Sequence, residues 1–455
     1  MAIRSKGRRG ATGGRQVGTG PVIRGDRLGS LDVLRGVAVC GILLMNIAMM
    51  GMLGDMTRPP LPAVLDADWI TYLGVRTFLS GTMRGLFTLL FGAGMLIMLR
   101  RADEIGGEGS IQAYLTRCFA LILLGAANFA IFLWPGEILF NYGVVGIVLL
   151  LFRRADMRLL LIAAAASLLI LNVGLYLPNA VRGGVLLEAP AAAAAKAAGT
   201  PLSEKQEAAL ELQAKLAKAA RPPSEKLALE RAQRTSYPEV VAWSAVKWSE
   251  INLSTKGFFW LFETLAFMLI GMALFRSGVL SGEKSLTFYW GLAAAGYGLG
   301  LAIRCGFMFT QWKAGFEPNP GMLIGTGLIF EQGRLPATLG LVGLVIALYK
   351  KGAFGKLAIG LTAIGRLALT NYVGQSVIAA ALFYGLGYVG RFGFAQLMGI
   401  AVCIWVFQGV FSVLWLRFYE MGLLEWLLRN LTYGKWLPLK RLPQGVGVAA
   451  AQPAE

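Results

Sequence analysis

Runs of about twenty mostly apolar residues recur along this chain, and they constrain its fold more than any other feature. Two examples are 158–177 and 394–416, each with at most one charged side chain. A helix of about twenty apolar residues is long enough to cross the hydrocarbon core of a bilayer. Charged residues make up 15% of the chain, whereas a water-soluble protein uses roughly 25% to cover its surface. We therefore predict an all-α fold, a polytopic transmembrane helix bundle with about ten spans.

Basic residues are concentrated in alternate connections between the predicted spans. Arg100 and Arg101 follow the second span, and Lys350 and Lys351 follow the eighth. Because cytoplasmic loops of membrane proteins carry an excess of Lys and Arg, we expect both termini to be cytoplasmic. The predicted spans are 31–53, 79–99, 117–135, 138–152, 158–177, 257–276, 286–307, 334–350, 366–388 and 394–416.

The predicted spans form two membrane halves separated by a long polar segment. Within that segment, Pro222 and Pro223 separate two stretches that begin with Ser before Glu and are rich in helix formers, which predicts two short helices. The segment is either a lid over a site or a tolerated insertion. The predicted regions are a disordered basic cytoplasmic tail (1–30), an N-terminal transmembrane half of about five spans (31–177), an extracytoplasmic helical loop (178–256), a C-terminal transmembrane half of about five spans (257–416) and a cytoplasmic C-terminal segment (417–455).

Histidine is absent from the chain. Its absence removes the usual general base at neutral pH, the commonest metal ligand and every Ser-His or Cys-His pair. The sequence also contains no Walker motif, no nucleophile elbow and no zinc-ligand spacing. We therefore predict no metal cofactor. The basic excess is explained by cytoplasmic loops, so we predict the lipid bilayer as a partner and no nucleic acid.

The first span carries three polar residues on one face. Asp32 and Arg35 are three residues apart, so they share a helix face and can form an ion pair. Asn46 lies about three turns beyond Arg35 and returns to that face. Because polar groups inside a bilayer are costly and usually face the bundle interior, this stripe is typical of a helix that lines a polar cavity. The alternative is an interfacial ion pair that only anchors the helix end.

Other predicted spans and one connection also carry polar residues. Arg84 lies in the second span, and Asn128 and Glu137 lie near the predicted outer surface. Glu137 is either a site residue or a solvated loop acid beside a membrane-interface tryptophan. The ninth span contains Arg366, Asn371, Tyr372 and Gln375. For its two amides, hydrogen bonding between helices is an alternative to a role in a cavity.

Five segments of the sequence are similar to a known family of membrane proteins. They are LDVLRGVAVCGILLMNI (31–47), RGLFTLLFGAGM (84–95), LWPGEILFNYG (133–143), GRLALTNYVGQS (365–376) and LLEWLLRNLTYGKWLPLKR (423–441). On these segments the chain resembles the bacterial integral-membrane family called domain of unknown function 418, the YeiB-like proteins. The resemblance implies a multi-pass protein of the bacterial inner (plasma) membrane.

That family is distantly similar to transmembrane acyltransferases of the heparan-glucosaminide type, which share the Asp and Arg-Gly start and the following Asn. The similarity implies transfer of an acyl group from a cytoplasmic thioester, acyl-CoA, to a small-molecule, lipid or glycan acceptor. In such a mechanism Asp32 would be the base or would orient the acceptor, Asn46 would donate to the developing oxyanion, and Arg35 and Arg84 would bind the anionic part of the thioester. The other candidate binding residues are Asn128, Arg366, Asn371, Tyr372 and Gln375.

One position departs from the pattern of these relatives. The YeiB-like pattern has Gly-x-x-His in the third span, and this chain has Gly125-Ala-Ala-Asn128. Asparagine cannot accept a proton. Acyl transfer by this chain would therefore need a carboxylate base, for which Asp32 and Glu137 are the candidates.

Two other function classes stay open. A transporter or lipid-handling protein without enzymatic activity would hold an anionic substrate with Arg35, Arg84 and Arg366. A structural or regulatory membrane protein would use its polar groups only for helix association. The sequence does not decide the oligomeric state, and a homo-oligomer is compatible with each class.

Overall fold

The structure, a computed structural model, describes residues 29–54, 58–105 and 108–441. Almost all of the predicted basic tail lies outside the described residues, as does the last part of the predicted C-terminal segment. The regular secondary structure of the described ranges is helical, apart from one isolated antiparallel β-bridge between Tyr419 and Lys440. The all-α prediction is confirmed.

The α-helices are numbered α1 to α19 in chain order. Several of them continue into short π-helical or 3₁₀ segments, described below where they matter. The helices are α1 (Gly29–Gly51), α2 (Ala67–Gly74), α3 (Thr82–Ile105), α4 (Glu108–Ala130), α5 (Leu139–Leu149), α6 (Met157–Leu171), α7 (Leu177–Leu186), α8 (Ala189–Ala197), α9 (Glu204–Ala220), α10 (Ser224–Ala232), α11 (Tyr237–Asn252), α12 (Thr255–Arg276), α13 (Leu286–Lys313), α14 (Pro320–Gly325), α15 (Arg334–Lys350), α16 (Leu357–Arg366), α17 (Ala368–Ala380), α18 (Phe394–Phe418) and α19 (Leu423–Tyr433).

Eight helical runs among the described residues are long and apolar enough to cross a bilayer. The bent pair α16–α17 is a ninth if it counts as one span, and Leu139–Phe152 is a shorter apolar helix. These numbers agree with the prediction of a polytopic bundle. The eight runs are Gly29–Gly51, Ala67–Met98, Ile111–Ala130, Met157–Ala197, Thr255–Arg276, Leu286–Lys313, Pro320–Lys350 and Phe394–Phe418.

The predicted ninth span, 366–388, differs from the observed helices because the chain bends by 89° between α16 and α17. Leu367 leaves the helical conformation there, with φ −108° and ψ 33°. The carboxylate of Glu425 on α19 accepts hydrogen bonds from the backbone N–H groups of Leu369 and Thr370, at 2.6 and 3.2 Å. It thereby satisfies donors that the start of α17 would otherwise leave unpaired. A residue more than fifty positions away in sequence thus stabilises the break.

The predicted boundary between the N-terminal half and the long loop, at residues 177 and 178, falls inside one helical run. The helical run from Met157 continues through α7 and α8 to Ala197, and its 41 residues extend for about 60 Å, twice the thickness of a hydrocarbon core. Helices α9 and α10 lie on either side of Pro222 and Pro223, and α11 leads back to the bundle. We call α8–α11 the outer region.

The connections lie at two ends of the bundle. At one end, the Ser30 hydroxyl donates to the Leu280 carbonyl at 3.3 Å, and the Lys350 amine donates to the Gly282 carbonyl at 2.7 Å. These contacts place the start of α1 beside connections that carry the predicted cytoplasmic basic residues, so we call this the basic end. At the opposite, outer end, the Gly54 N–H donates to Glu230 of the outer region at 2.7 Å. Which end faces the cytoplasm stays a prediction.

Glycines bring several helices into backbone contact. A Cβ atom at Gly36 would overlap the carbonyl oxygen of Leu361, and one at Gly365 would overlap the carbonyl oxygen of Asp32. Helices α1 and α16 therefore touch through their backbones. Small residues favour such close approach in lipid, where the hydrophobic effect does not drive helices together.

Candidate functional site

A buried group of charged side chains joins α3, α12 and α15. The Arg84 Nη2 donates to both carboxylate oxygens of Glu263, each at 2.7 Å. Arg334 forms an ion pair with the same carboxylate, and its Nη1 donates to Glu331 at 3.2 Å. Glu263 is 4% exposed and Arg334 is 7% exposed. One glutamate thus neutralises parts of two arginines inside the apolar bundle.

Two further arginines extend this group. The guanidinium carbons of Arg76 and Arg304 lie 4.7 and 4.9 Å from the centre of the Phe330 ring. Arg304 is completely buried, and it donates to the Ser80 carbonyl at 2.8 Å and to the Thr82 hydroxyl at 3.1 Å. Such hydrogen bonds orient a guanidinium and leave its charge in place.

We call the whole group the arginine cluster; it consists of Arg76, Arg84, Arg304, Arg334, Glu263 and Glu331. Its four arginines face two glutamates, so two positive charges remain without a carboxylate partner in the cluster. A net charge inside a membrane bundle is costly, and groups that carry it usually serve a substrate or ion pathway.

Irregular helix surrounds the arginine cluster. Three of the four π-helical segments in the described ranges contribute to it, and they are Val75–Leu79, Asn172–Tyr176 and Thr326–Phe330. The first contains Arg76, and the third ends beside Glu331. Gln332, in the 3₁₀ turn after the third segment, donates to Asn172 at 2.6 Å and to the Gly327 carbonyl at 3.1 Å, which joins the second and third segments. Single π-helical turns are frequent at functional sites, and broken helices form the binding sites of many transporters.

Asp32 and Arg35 form a separate pair towards the basic end, whereas Asn46 lies about 16 Å further along α1. The predicted ion pair is present, with the Arg35 Nη1 3.1 Å from Asp32. A Cβ atom at Gly94 would lie 3.8 Å from Arg35, and Gly94 is ten residues, about 15 Å, along α3 from Arg84. Asn46 is half-buried, and no described residue forms a hydrogen bond with its side chain. The structure therefore does not bring Asp32 and Arg35 to Arg84.

A third group lies at the outer end, between α4 and α5. Glu137 is 2% exposed, and it accepts hydrogen bonds from the Leu139 N–H at 2.7 Å and from the Trp248 indole at 3.0 Å. Burial raises its pKa, and these hydrogen bonds oppose the rise. The Tyr372 hydroxyl lies next to this group, 3.2 Å from the Ile138 N–H. Glu137 is therefore a buried acid and not a solvated loop residue.

Asn128 is fully buried, and its side-chain amide finds no hydrogen-bond partner among the described residues. It belongs to the last two turns of α4, whose end is followed by the Glu137 connection. A Cβ atom at Gly125, one turn before Asn128, would lie 2.8 Å from the Glu137 carboxylate. The position where the relatives are expected to have histidine is thus close to a buried acid.

The amides of the ninth span form a fourth group, which joins α17 to α18. The Asn371 side chain donates to the Ser412 hydroxyl at 2.9 Å, and the Gln375 side chain donates to Gln408 at 3.0 Å. Gln408 in turn donates to the Asn371 carbonyl at 2.8 Å. We call these four residues the amide network. Arg366 lies apart from it and donates to the Glu420 carbonyl at 3.2 Å.

A cavity of about 380 Å³ lies at the outer end, against α10 of the outer region. None of the candidate residues predicted from the sequence lines it. In the described ranges, no three His, Cys, Asp or Glu residues are grouped as metal ligands would be. The cavity is lined by Met52, Leu53, Ser224, Leu227, Ala228, Arg231, Gly390 and Phe392.

Comparisons with known proteins match both the whole chain and its C-terminal half. The model of the family described as "Protein of unknown function (DUF418)" matches residues 274–435. The "Uncharacterized protein YxaH" of Bacillus subtilis is 29% identical, over 92% of this chain and 98% of its own length. The "Uncharacterized protein YeiB" of Escherichia coli is also 29% identical, over 89% of this chain and 95% of its own length. These matches confirm the resemblance to the DUF418 family that the sequence segments indicated. No solved structure matches this chain.

The DUF418 match includes only part of the arginine cluster. Arg304, Glu331 and Arg334 lie inside the matched residues, whereas Arg84 and Glu263 lie before them. The family match and the apolar helices together identify this chain as an integral membrane protein.

Sequence reasoning selected Arg84 but missed its partner Glu263. The signal was present, because Glu263 is the one acidic residue in the apolar helix α12. It also shares a helix face with Lys256, Trp260 and Phe267, which are spaced by three or four residues. An isolated acid within a predicted span is a candidate functional residue by default.

Proposed function

We propose that this protein binds an anionic substrate in its membrane domain and acts as a transporter or lipid-handling protein. The observation that carries the proposal is the net positive charge of the arginine cluster, held where three π-helical segments meet. In a low-dielectric site, an unneutralised guanidinium attracts an anion much more strongly than it does in water. Arginine is suited to this role because it stays charged when buried and donates from a planar fork.

The test is anion binding by the purified protein in nanodiscs. Phosphate, sulfate and oleate are titrated, with chloride as reference, and binding is followed by calorimetry and by the rise in the thermal unfolding midpoint. We expect at least one of the three anions to bind, and Arg84→Gln to weaken that binding about tenfold or more. Uptake of the same anion into proteoliposomes then separates transport from binding alone.

Two matched variants show whether the position of the arginine matters. Arg35→Gln and Arg366→Gln remove arginines that the sequence also made candidates for anion binding, but both lie outside the arginine cluster. We expect them to leave the affinity within about twofold of wild type. Equal losses from all three variants, or no anion that binds better than chloride, would contradict the proposal.

We keep acyl transfer as a second candidate function, because Glu137 is a buried carboxylate beside Gly125, one helical turn from the unpaired amide of Asn128. In this reaction a carboxylate takes the proton of the acceptor hydroxyl or amine as that atom bonds to the thioester carbonyl carbon. The C–S bond then breaks, and the proton passes to the thiolate of coenzyme A. Glu137 lies at the outer end, where a periplasmic acceptor would arrive, whereas Asp32 lies towards the basic end, where a cytoplasmic acyl-CoA would arrive.

Loss of an acyl group from acyl-CoA in the presence of membrane extract tests this second candidate. If the reaction occurs, Glu137→Gln and Asp32→Asn identify the base, because each amide keeps the shape of the acid without its proton affinity. Glu420→Gln is the control, since Glu420 pairs with Arg441 near the basic end. No thioester binding at millimolar acyl-CoA would exclude acyl transfer from acyl-CoA. Localisation in the bacterial inner membrane is a further proposal, which membrane fractionation tests.

A further inference from the structure

The arginine cluster has an open side, which faces the outer end of α12. Trp260 lies one turn outward from Glu263 on the same helix face. The Lys256 ammonium is 4.6 Å from the centre of the Trp260 ring, and the Arg84 guanidinium carbon is 5.9 Å from it. One aromatic ring therefore lies close to two cations that belong to different helices.

The donors on this side are not used by the protein. Arg84 binds Glu263 through Nη2, its side chain is 30% exposed, and its Nε and Nη1 have no acceptor among the described residues. Lys256 is exposed and forms no hydrogen bond with them. Unused charged donors beside a low-dielectric cluster are typical of a binding site for an anion.

The surroundings of these donors are apolar and exposed. Lys256 is the second residue of α12, and Glu263 lies about 10 Å further along the helix axis. Val173, Leu328 and Ile329, which belong to the neighbouring π-helical segments, are between 39% and 55% exposed. In a bundle that spans a bilayer, such side chains face lipid. Lys256 thus lies at the depth of a membrane interface with Arg84 deeper in the bundle, beside a surface that lipid tails would contact.

We propose that Arg84, Lys256 and Trp260 form a seat for the phosphate group of a phosphate monoester. This deepens the proposed function and rests on it. Two cations with several unused N–H donors match a group that carries up to two charges and has three terminal oxygens. A carboxylate ligand would bring only one negative charge, and the carboxylate of Glu263 already supplies one negative charge to Arg84. The apolar rim predicts that the phosphate belongs to a lipid that enters sideways from the outer leaflet.

The test compares three probes on the full chain in phosphatidylcholine nanodiscs. The probes are phosphatidic acid, inorganic phosphate and oleate, and native mass spectrometry and calorimetry measure binding. We expect phosphatidic acid to bind, and Lys256→Gln to weaken it about tenfold. Lys313→Gln is the matched control, because Lys313 also lies 4.7 Å above an aromatic ring at the outer end and is not part of the seat. We expect it to bind as wild type does.

Inorganic phosphate that binds as tightly as phosphatidic acid, with the same dependence on Lys256, would keep the phosphate seat and assign it to a soluble ester. Oleate binding that depends on Arg84 and not on Lys256 would overturn the seat and leave the proposed function intact. Equal binding by Lys256→Gln and wild type would also overturn the seat. If none of the three probes binds, both proposals fail. Unfolding midpoints without ligand show that each variant is folded.

Discussion

The arginine cluster and the amide network both place polar side chains inside the bundle, but they handle them differently. In the amide network each side-chain amide nitrogen of Asn371, Gln375 and Gln408 donates to a neighbouring oxygen, and no formal charge is present. In the arginine cluster two positive charges remain, and Arg84 keeps unused donors. The first arrangement holds α17 against α18. The second arrangement destabilises the bundle, so other contacts of the fold must offset its cost, and we infer that it is kept for a ligand.

The largest effect that separates the two regions is expected from Glu263→Gln. This change removes the carboxylate that neutralises Arg84 and Arg334, so it leaves a buried charge without compensation. Loss of one partner from a buried ion pair costs about 3–5 kcal/mol of stability. The measurement is the free energy of unfolding in detergent. Glu250→Gln, which breaks an exposed ion pair with Lys247, is the control and should cost less than about 1 kcal/mol. Equal values for both variants would contradict a coupled cluster.

A smaller effect is expected from Gln375→Leu in the amide network. Leucine keeps most of the volume, but it removes the donors to Gln408 and to the Val39 carbonyl. Leaving a buried acceptor unpaired costs about 1–3 kcal/mol. The comparison becomes sharper if anion affinity is measured on the same sample, because we expect it to stay unchanged. A loss of anion binding would show that the amide network also serves the ligand.

The smallest effect concerns Glu425, which lies in α19 outside the membrane-spanning helices. Every hydrogen bond that it accepts from the described residues comes from a neutral donor. Burial raises its pKa above the ordinary 4.5, although hydrogen bonds from Thr370 and Leu369 oppose the shift. At a pH between the ordinary pKa and the raised pKa of Glu425, the folded protein therefore holds a proton that the unfolded chain releases. This contribution to stability is complete below about pH 4.5 and is lost as pH rises through the raised pKa.

We therefore expect the unfolding midpoint of wild type to fall with rising pH more steeply than that of Glu425→Gln. Glutamine keeps the acceptor oxygen for the start of α17 and does not titrate. The measurement is a series of thermal unfolding curves from about pH 4.5 upward. Parallel midpoints for the two proteins would show that Glu425 does not titrate differently in the folded and unfolded chains.

Helix length and local spacing were enough to predict the class of fold and part of its polar chemistry. The apolar runs predicted a membrane bundle, and the three-residue spacing of Asp32 and Arg35 predicted their ion pair. Both inferences depend only on residues within a few turns of each other.

What the sequence did not predict depends on how distant helices rotate against each other. Arg84 and Glu263 are 179 residues apart, and the bend before α17 is stabilised by Glu425 from another helix. Period and composition do not fix these rotations, because each is set by packing among several helices. The roles assigned to the individual candidate residues stay predictions until the variants above are measured.

The contact between Gly36 and Gly365 also limits how this molecule can work. A shift of one residue along α1 would put the side chain of Val37 where Gly36 now contacts the backbone of α16. Because that side chain would not fit, we expect α1 and α16 to move together as one rigid unit. Any alternation between open and closed forms must then come from other parts of the bundle, and the π-helical segments are the candidates. There the extra residue of each π-helical turn gives the chain a place to flex, next to the guanidinium groups.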